Sequence, residues 1–477
     1  MKILLINPPA ENEIIGNNPP IIEEERGFNP PLGLLYLAAY LRKNNHHQIK
    51  IIDSQVEELT YPQLKQKIKR FNPELVGITT MTLTLIDVLK TVSLVKAINK
   101  KIKVILGGPH VHIFPEETIN LPGVDYLVLG EGEQAFNDLV KALDQKEKKE
   151  ELEKRLKKIK GLVFKKNKRI INTGPQPFIM NLNQLPFPAR DLVPYQKYSS
   201  LIAKRQPITT MITSRGCPFQ CKFCDRPNLG KIFRARSAKN VVDEIEACVQ
   251  MGINEFFVYD DTFTVNQQRV IDICDEIIKR KLKIGWDIRA RVDTINKKIL
   301  KKLKQANCER IHYGVEAGSL KVLKALNKGI TLRQVRNAFR WTKEIGIDTL
   351  AYFMIGNPQE GKKEIEASLE LMKQLKPDFV HLTILTPFPA TKIYFEALEK
   401  GIIKKDVWQE FAQKPSPDFI PPVWGENFSR EELFKIVSQA YKEFYTRPAY
   451  IIQGLRKIRS LPEFNRKIKA GLKVIKM

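Results

Sequence analysis

Short apolar runs alternate with amphipathic stretches along the first 145 residues of the chain. The runs have the length of strands, and the stretches between them place apolar residues three or four positions apart, as helices do. Continuous apolar strands separated by helices are typical of a parallel sheet covered by helices on both faces. Strands are predicted at 2–7, 49–53, 75–80, 103–106 and 126–129. Helices are predicted at 31–41, 61–71 and 134–143, and a further helix follows the third strand and ends at 98.

The same alternation returns after residue 207 and runs through six strand–helix units. Six units rather than eight predict a partial barrel of the TIM type, in which reactive groups gather at the carboxyl ends of the strands. The barrel strands are predicted at 209–213, 255–259, 284–288, 310–313, 349–355 and 379–385.

The segment between the two alternating regions has a different composition. Residues 144–160 consist mostly of Lys, Glu, Leu and Asp and predict a solvated helix with opposite charges four positions apart. A hairpin is predicted over 161–164 and 169–172, and the proline-rich residues 175–194 predict an extended connector. We therefore expect an α/β domain at 1–145, a linker with this hairpin at 146–200, a barrel at 201–425 and a basic helical region at 426–477.

The 477-residue chain has a formal net charge of +26, and 43% of its residues are hydrophobic. The charge alone leaves nucleic acid open as a partner, but no recognised binding module interleaves aromatic residues with the lysines, so we do not expect one. The first residues lack the cleavage site of a signal peptide. The best apolar helix near the start, 32–41, is far shorter than the roughly 20 residues that cross a bilayer. We expect a cytoplasmic protein.

Three cysteines, Cys217, Cys221 and Cys224, form the motif C-x3-C-x2-C. Three thiolates at this spacing suit three irons of a four-iron cluster, because soft sulfur ligands favour iron–sulfur centres. The lack of a fourth cysteine nearby in the sequence would leave one iron open to a small molecule. A structural zinc site normally has four closed ligands, and disulfides are rare in a reducing compartment, so neither alternative is favoured.

With Phe223 directly before the third cysteine, the motif resembles that of the radical S-adenosylmethionine (SAM) superfamily. The resemblance implies that Cys217, Cys221 and Cys224 are the catalytic metal ligands of a [4Fe–4S] cluster. It also implies that the open iron chelates SAM and that an electron from the cluster cleaves SAM to a 5′-deoxyadenosyl radical. Phe223 would then lie beside the adenine.

Polar residues follow three successive barrel strands and complete the SAM site that the resemblance implies. Asp260 and Asp261 can pair with the ammonium of a bound amino acid. Arg291 can hold a carboxylate, and Glu316 can accept hydrogen bonds from ribose hydroxyls. A single such carboxylate is more often a helix cap or a surface ion pair, but the series at successive strand ends favours a binding site.

Polar and glycine residues also follow the strands of the first domain, where ligands of parallel-sheet folds bind. A dinucleotide is not favoured, because no G-x-G-x-x-G follows the first strand. The domain resembles the cobalamin-binding domain found upstream of many radical SAM modules, a Rossmann-like (flavodoxin-like) fold. The residues implied to contact cobalamin are Asn7, Thr79, Thr80, Gly107, Gly108, Gly130, Glu131 and Gly132.

One departure from that domain concerns the lower ligand of cobalt. The D-x-H-x-x-G signature, whose histidine replaces cobalamin's own lower ligand, is absent from the first loop. The resemblance therefore implies cobalt without a protein histidine on its lower face. We interpret His110 and His112 as loop residues that do not ligate cobalt.

Runs at 260–264, 314–318, 353–358 and 443–448 resemble the group of the anaerobic magnesium-protoporphyrin IX monomethyl ester cyclase and the class B radical SAM methylases. The resemblance implies methylation of an unactivated carbon of a hydrophobic small molecule or lipid through methylcobalamin, with an external flavodoxin- or ferredoxin-type electron donor. A radical cyclase or oxidative enzyme acting on a tetrapyrrole or lipid without methyl transfer is the alternative. A tRNA- or ribosome-modifying enzyme is a third hypothesis, favoured only by the charge.

The basic amphipathic segment 448–476 leaves two interpretations open. Apolar residues at helical spacing with Arg and Lys between them can lie on an anionic membrane. They can equally pack as a helix on the rest of the protein. The first interpretation would make the protein membrane-peripheral.

Overall fold

The computed structural model describes residues 1–17, 27–44, 46–145, 148–224 and 230–456. The chain divides into two compact units, each of which takes residues from more than one part of the sequence. The first unit consists of Met1–Ile14, Pro30–Lys197 and Asp406–Ile420, and the second of Ile15–Asn29, Tyr198–Lys405 and Pro421–Met477.

The first unit is built on one mixed sheet. Its strands are β1 (Lys2–Asn7), β2 (Gln48–Asp53), β3 (Leu75–Thr79), β4 (Lys103–Gly107), β5 (Tyr126–Val128), β6 (Leu162–Lys166) and β7 (Arg169–Asn172). Over the described residues they lie in the order β2-β1-β3-β4-β5-β6-β7. β1 to β5 are parallel, which confirms the predicted parallel sheet.

The helices of the first unit cover this sheet. They are α1 (Leu32–Asn44), α2 (Tyr61–Phe71), α3 (Leu85–Ile98), α4 (Pro109–Ile113), α5 (Pro115–Asn120), α6 (Gly132–Asp144), α7 (Lys149–Leu156) and α15 (Val407–Gln413), the last from the distant segment Asp406–Ile420. In β1, Ile3 and Leu5 point to one face and Leu4 and Ile6 to the other, and all four are fully buried. Phe411 of α15 belongs to the same hydrophobic core.

The predicted hairpin forms, but as part of the sheet and not as part of a separate linker. β6 pairs antiparallel with β5, with Leu127 opposite Val163, and Leu162, Val163 and Phe164 are buried. The short strand β5 would otherwise leave its backbone N–H and C=O groups unpaired at the edge of the sheet, where an added strand satisfies them.

The second unit contains the barrel strands, which follow each other in the sheet as they do in the sequence. Among the described residues the order is β15-β14-β13-β12-β11-β8 and every pair is parallel, which confirms the predicted partial barrel. The strands are β8 (Ile208–Met211), β11 (Glu255–Val258), β12 (Gly285–Ala290), β13 (Cys308–Glu316), β14 (Asp348–Ile355) and β15 (Phe379–Ile384), with a small antiparallel pair, β9 (Ser214–Arg215) and β10 (Arg234–Ala235).

Helices alternate with these strands and continue beyond them. They are α8 (Ala238–Gln250), α9 (Gln267–Lys279), α10 (Lys297–Gln305), α11 (Leu320–Ala325), α12 (Leu332–Ile345), α13 (Lys362–Leu375), α14 (Lys392–Glu399), α16 (Arg430–Tyr445) and α17 (Pro448–Arg456). The predicted helical region after residue 426 therefore forms up to Arg456. Residues 457–476 of the predicted amphipathic segment lie outside the described residues.

The barrel strands have two chemically different faces. Outward side chains such as Tyr313 and Phe353 are fully buried under helices. On the opposite face, which we call the inner face, Arg289, Tyr352 and His381 are half-buried. Strand registry places Tyr352 directly beside His381. The inner face therefore carries polar and aromatic groups that the helices do not cover.

No helix in the described ranges is both long enough and apolar enough to span a bilayer.

Candidate functional site

Asp260 anchors the chain where it enters the cysteine loop. Its fully buried carboxylate accepts hydrogen bonds from Thr213 N at 2.6 Å, Thr213 Oγ1 at 2.5 Å and Ser214 Oγ at 2.6 Å. Both carboxylate oxygens are thus engaged by the residues just before Cys217, which gives Asp260 a positioning role; its contact with SAM stays a prediction. Asp261, the next residue, is exposed.

Arg269 is a second positioning residue, and the sequence analysis missed it. It lies on α9, is 7% exposed, and donates to Thr213 O at 2.8 Å and Thr213 Oγ1 at 2.6 Å through Nη2. Its Nε donates to the carbonyl of Arg236 at 2.9 Å. Thr213 is therefore held from both sides, by Asp260 and by Arg269.

The three predicted cluster ligands differ in exposure. Cys221 is 7% exposed, Cys217 is half-buried and Cys224 is exposed, and the three cysteines are not in disulfides. Cys217 Sγ lies 3.7 Å from Thr262 Oγ1, and Cys224 N donates to Cys221 O at 3.4 Å. The motif thus forms a loop that presents its sulfurs from different depths.

Backbone hydrogen bonds fix this loop to the rest of the second unit. Lys222 N donates to Leu326 O at 3.0 Å, and Ile393 N donates to Lys222 O at 3.1 Å. The Lys222 ammonium pairs with Glu396 at 2.6 Å. The loop is held by groups that are present without a cofactor, so its shape is set in advance.

Arg291 contacts the most buried of the three cysteines. Its Nη1 lies 3.6 Å from Cys221 Sγ, while Nε and Nη2 donate to the two oxygens of Asp293 at 3.0 Å each. The guanidinium also stacks on Phe219, 3.8 Å from the ring centre. Burial raises the pKa of the Cys221 thiol, and Lys328 and Arg291 act against that rise. The arginine is thus placed to stabilise a thiolate at this position.

Glu316 forms a buried ion pair with Lys328, a residue that the sequence analysis missed. The Lys328 ammonium lies 2.6 Å from Glu316 Oε1 and 5.8 Å from the centre of the Phe223 ring. Glu316 has a φ of 70°, in a bulge where β13 shifts register against β14. A Cβ atom at Gly314 would lie 2.7 Å from Lys328 Nζ, so a larger residue there would displace the ends of the paired side chains. Residues 314 to 316 are therefore shaped around this ion pair.

These contacts join most of the predicted SAM-site residues. Arg291 Nη2 donates to the carbonyl of Lys328 at 2.7 Å, so one chain of contacts runs from Cys221 through Arg291 and Lys328 to Glu316. Phe223 lies beside its middle. Neither the sequence spacing nor any local motif indicates Lys328, because it reaches Glu316 only through the folding of the barrel.

The three thiols of the cysteine loop fit an iron–sulfur cluster by their chemical type. Over the described ranges, no group of three or more His, Cys, Asp or Glu side chains is arranged around one metal position. A [4Fe–4S] cluster uses each cysteine for a different iron, so its ligands need not converge on one point. Cys217, Cys221 and Cys224 share one loop and satisfy that weaker requirement.

In the first unit, the predicted cobalamin residues line the carboxyl edge of the parallel strands. Asn7 lies beside Asp53 in register and donates Nδ2 to its carboxylate at 2.8 Å. Thr79 is in register with Gly107, and Gly107 with Val128. A Cβ atom at Gly107 would meet only Val128 O, at 3.7 Å. The edge therefore has open space beside the backbone, which fits a large flat ligand.

Gly108 makes a close backbone contact at this edge. Its φ is 120°, and a Cβ atom there would lie 2.7 Å from Thr80 O, so only glycine fits. Thr80 itself is fully buried, and its carbonyl accepts from His110 N at 3.3 Å. Thr80 thus shapes the loop from within. Burial lowers the pKa of His110 to about 3, so this histidine is neutral at physiological pH.

The loop after β5 contains the remaining predicted residues. Gly130 has a φ of 69°, and Gly132 is the first residue of α6. Glu131 accepts a hydrogen bond from Ile179 N at 2.7 Å, which ties the loop to the extended connector. Glu131 therefore has a structural role that the sequence did not indicate.

Glu360, after β14, is a further buried carboxylate that the sequence analysis missed. It is 1% exposed and accepts hydrogen bonds from Asn357 N at 2.9 Å and Asn357 Nδ2 at 3.1 Å. Burial raises the pKa of Glu360 to about 7. It holds the turn that ends β14, the strand after the one that carries Glu316.

Two family models match the chain in the two units. Residues 20–140 match the B12 binding domain, and residues 211–372 match the Radical SAM superfamily. The chain belongs to the B12-binding radical SAM enzymes. Cobalamin, SAM and a [4Fe–4S] cluster, the predicted cofactors, are those of these two domains, so the prediction of family and cofactors is confirmed.

Similar proteins extend over nearly the whole chain. An uncharacterized methyltransferase of Pyrococcus horikoshii is 36% identical over 459 residues, which cover 95% of this chain and 95% of that protein. The anaerobic magnesium-protoporphyrin IX monomethyl ester cyclase of Rubrivivax gelatinosus is 28% identical over 461 residues, 94% of this chain and 78% of the cyclase. The chain is thus an enzyme of the cobalamin-dependent radical SAM methylase type.

A solved structure shares the fold. The cobalamin-dependent SAM radical enzyme OxsB, with aqua-cobalamin and SAM bound, superposes with a TM-score of 0.73 and 20% sequence identity, covering 98% of this chain and 71% of OxsB. At this identity the likeness supports the fold alone.

Proposed function

We propose that the enzyme methylates an unactivated carbon of a hydrophobic small molecule or lipid. The observation that carries the proposal is the chain of contacts from Cys221 through Arg291 and Lys328 to Glu316, in a protein that also has a B12 binding domain. When bound, the three cofactors supply an electron, a radical and a methyl group; the protein orients them and excludes water.

The residues of the second unit have distinct tasks in this proposal. Cys217, Cys221 and Cys224 hold the cluster. Arg291, fixed by Asp293, donates an N–H group to the Cys221 sulfur, and Glu316, fixed by Lys328, presents its second oxygen to ribose hydroxyls of SAM. Both side chains are held before the cofactor binds, which reduces the ordering cost of binding.

The residues of the first unit have a binding task. Gly107 lets a corrin ring approach the backbone, since no side chain stands in the way, and Gly108 and Gly130 adopt the positive φ angles that their loops need. Asn7 is oriented by Asp53 and directs its remaining amide groups to the same edge. In this proposal no histidine of the chain ligates cobalt, in keeping with the full burial of His110 and the contact of its Nδ1 with Thr82 Oγ1 at 3.1 Å.

The experiment uses the full chain, reconstituted anaerobically with iron, sulfide and cobalamin. It is supplied with SAM, a reductant and a lipid extract. Methylation predicts that S-adenosylhomocysteine and 5′-deoxyadenosine both accumulate in step with a product heavier by one CH₂. A C221S variant should form neither product, and C248S, which alters a buried cysteine of α8 outside the motif, is the matched control.

A cyclase or oxidative reaction without methyl transfer is the second candidate. The similarity to the cyclase of Rubrivivax gelatinosus favours it. Consumption of substrate with 5′-deoxyadenosine but without S-adenosylhomocysteine would establish this reaction and remove the methylase proposal. Failure to form 5′-deoxyadenosine at all would remove both.

We also propose an external electron donor of the flavodoxin or ferredoxin type and a peripheral contact with membrane lipid. Support for the second comes from α17, where Ile451 and Ile452 are 47% and 50% exposed. Exposed apolar residues on a helix near basic residues favour an anionic lipid surface. Flotation with anionic vesicles at low salt tests this contact. We expect more of the wild type than of an I451S/I452S variant to float with the vesicles. Equal amounts of the two proteins in the lipid-free fraction would contradict the contact.

A further inference from the structure

Arg289 lies on the inner face of β12, two residues before Arg291. Two strand residues span about 6.6 Å, so Arg289 lies one pleat deeper in the barrel than the arginine that contacts Cys221. Its guanidinium stacks 3.8 Å from the centre of the Tyr259 ring. Tyr259 is in turn fixed by a hydrogen bond from its hydroxyl to Asn29 Oδ1 at 3.3 Å. Stacking occupies the face of the guanidinium, and its edge also donates a hydrogen bond to the Tyr352 hydroxyl, which leaves its other N–H groups for a ligand.

The carboxylates near Arg289 are engaged by other cations. Asp287 accepts from Arg310 at 3.0 Å and lies 3.2 Å from His312 Nε2, and Asp293 pairs with Arg291 at 3.0 Å. Among the residues that the structure describes, no carboxylate lies within 4.0 Å of Arg289. A half-buried guanidinium without a counter-ion is unfavourable, so this position is suited to receive an anion from outside the protein.

Aromatic groups flank the position. The Tyr352 hydroxyl lies 3.1 Å from His312 Nδ1, and the Tyr352 ring meets the His381 ring edge to face, with centres 5.4 Å apart. Tyr352 and His381 are half-buried and belong to the inner face, as does Arg289. The inner face therefore combines the Arg289 cation with the flat rings of Tyr352 and His381.

We propose that Arg289 binds an anionic group of the substrate, a carboxylate or a phosphate, while the apolar part of the substrate lies against Tyr259, Tyr352 and His381. A guanidinium edge matches either anion through two parallel hydrogen bonds. This inference rests on the proposed function and narrows its substrate class to an amphiphile with one anionic group.

The experiment measures binding of three probes with the same alkyl chain to the full-length, reconstituted enzyme by calorimetry. The probes are decanoate, decyl phosphate and decanol, below their aggregation concentrations. We expect decanoate or decyl phosphate to bind about tenfold or more tightly than decanol, and whichever anion binds better identifies the group. An R289Q variant should lose that advantage, and R289K should keep part of it.

The matched control is R336Q, which removes the same charge from an exposed position of α12. It accounts for non-specific attraction of anions to a protein with a net charge of +26. Equal loss of anion binding in R289Q and R336Q, or equal affinities of all three probes for the wild type, would overturn the inference. Circular dichroism of R289Q establishes that the variant is folded.

Reductive cleavage of SAM by the wild type, without substrate, separates this inference from the proposed function. If 5′-deoxyadenosine forms but R289Q binds the anions normally, the anion site is wrong and the enzyme class stands. If the anions bind through Arg289 but no 5′-deoxyadenosine forms, the anion site stands and the proposed function fails.

Discussion

The hydroxyl of Tyr441 bonds to both backbone groups of Leu382. It accepts a hydrogen bond from Leu382 N at 2.9 Å and donates one to Leu382 O at 3.2 Å. Tyr445, one helical turn later, does the same for Val380, with both distances 3.1 Å. β15 is the edge strand of the barrel sheet, so the tyrosines of α16 take the place of a further strand and satisfy groups that an open edge would expose.

Removing the Tyr441 hydroxyl should destabilise the protein. In Y441F, the buried N–H and C=O groups of Leu382 would lose their partner, which costs about 1–3 kcal/mol in the free energy of unfolding. Urea unfolding followed by fluorescence measures the change. Y195F is the control, because it removes the same hydroxyl group from a tyrosine that is only half-buried. Equal effects of the two substitutions would contradict the proposed role of the hydroxyl.

Adding a methyl group at Gly314 should disrupt the buried ion pair. A Cβ atom would lie 2.7 Å from Lys328 Nζ, so G314A should lower the free energy of unfolding by about 1–3 kcal/mol, as overpacking does. G33A adds the same group in helix α1, where nothing lies within 4 Å, and should be neutral or slightly stabilising. A G314A variant as stable as G33A would show that the strand can adjust at no cost.

Each cysteine of the motif should be needed for the cluster. C217S, C221S and C224S should each lose most of the iron and of the visible absorption of the reconstituted protein, because serine is a poor ligand for iron–sulfur clusters compared with a thiolate. C248S should retain both. Full iron content in any one of the three variants would remove that cysteine from the ligand set.

Arg291 should raise the reduction potential of the cluster. Its N–H group lies 3.6 Å from Cys221 Sγ, and hydrogen bonds and positive charge near the sulfurs stabilise the reduced, more negative state. In R291Q the potential measured by a redox titration with electron paramagnetic resonance should move to more negative values. R336Q is the control, because it removes the same positive charge from an exposed position of α12. An unchanged potential in R291Q would show that the arginine does not act on the sulfur.

Glu360 should make the protein less stable as pH rises. Burial raises the pKa of Glu360 from the ordinary 4.5 to about 7, so between these values the unfolded chain releases a proton that the folded protein keeps. The stability of the wild type should therefore fall, relative to E360Q, by up to about 3 kcal/mol between pH 4.5 and 7 and then level off.

Urea unfolding of both proteins at several pH values measures this difference. The free energy of unfolding of E360Q is subtracted from that of the wild type at each pH. This removes the pH dependence of all the other titratable groups, which the two proteins share. A difference that stays constant, or that grows in favour of the wild type as pH rises, would mean that Glu360 is ionised in the folded protein.

Periodicity was sufficient to predict the parallel strands of the first sheet, which are nearly continuous apolar runs such as Lys2–Asn7. The barrel strands carry polar residues as well, and their regular alternation with helices predicted them. Chemical type and spacing indicated the cysteine loop and, at the strand ends, Arg291 and Glu316, which the structure joins through Lys328; their contacts with the cluster and SAM stay predictions. Neither could identify Lys328 or Arg269, because their contacts join residues that are distant in sequence. Asp260 shows the converse: the position was predicted, but only the hydrogen bonds to Thr213 and Ser214 reveal its positioning role.

Each unit contains segments that are far apart in the sequence, and this limits how the chain can be cut into fragments. Phe411 and Phe419 stack 4.4 Å apart within the first unit, although most of that unit ends at Lys197. Conversely, Asn17 donates to Thr386 Oγ1 at 2.8 Å within the second unit. A fragment cut after Lys197 would lack a part of its own core and keep a strip that belongs to the other unit. Each unit therefore needs residues from both sides of any single cut, and expression of either unit alone requires a chain that joins its separate segments.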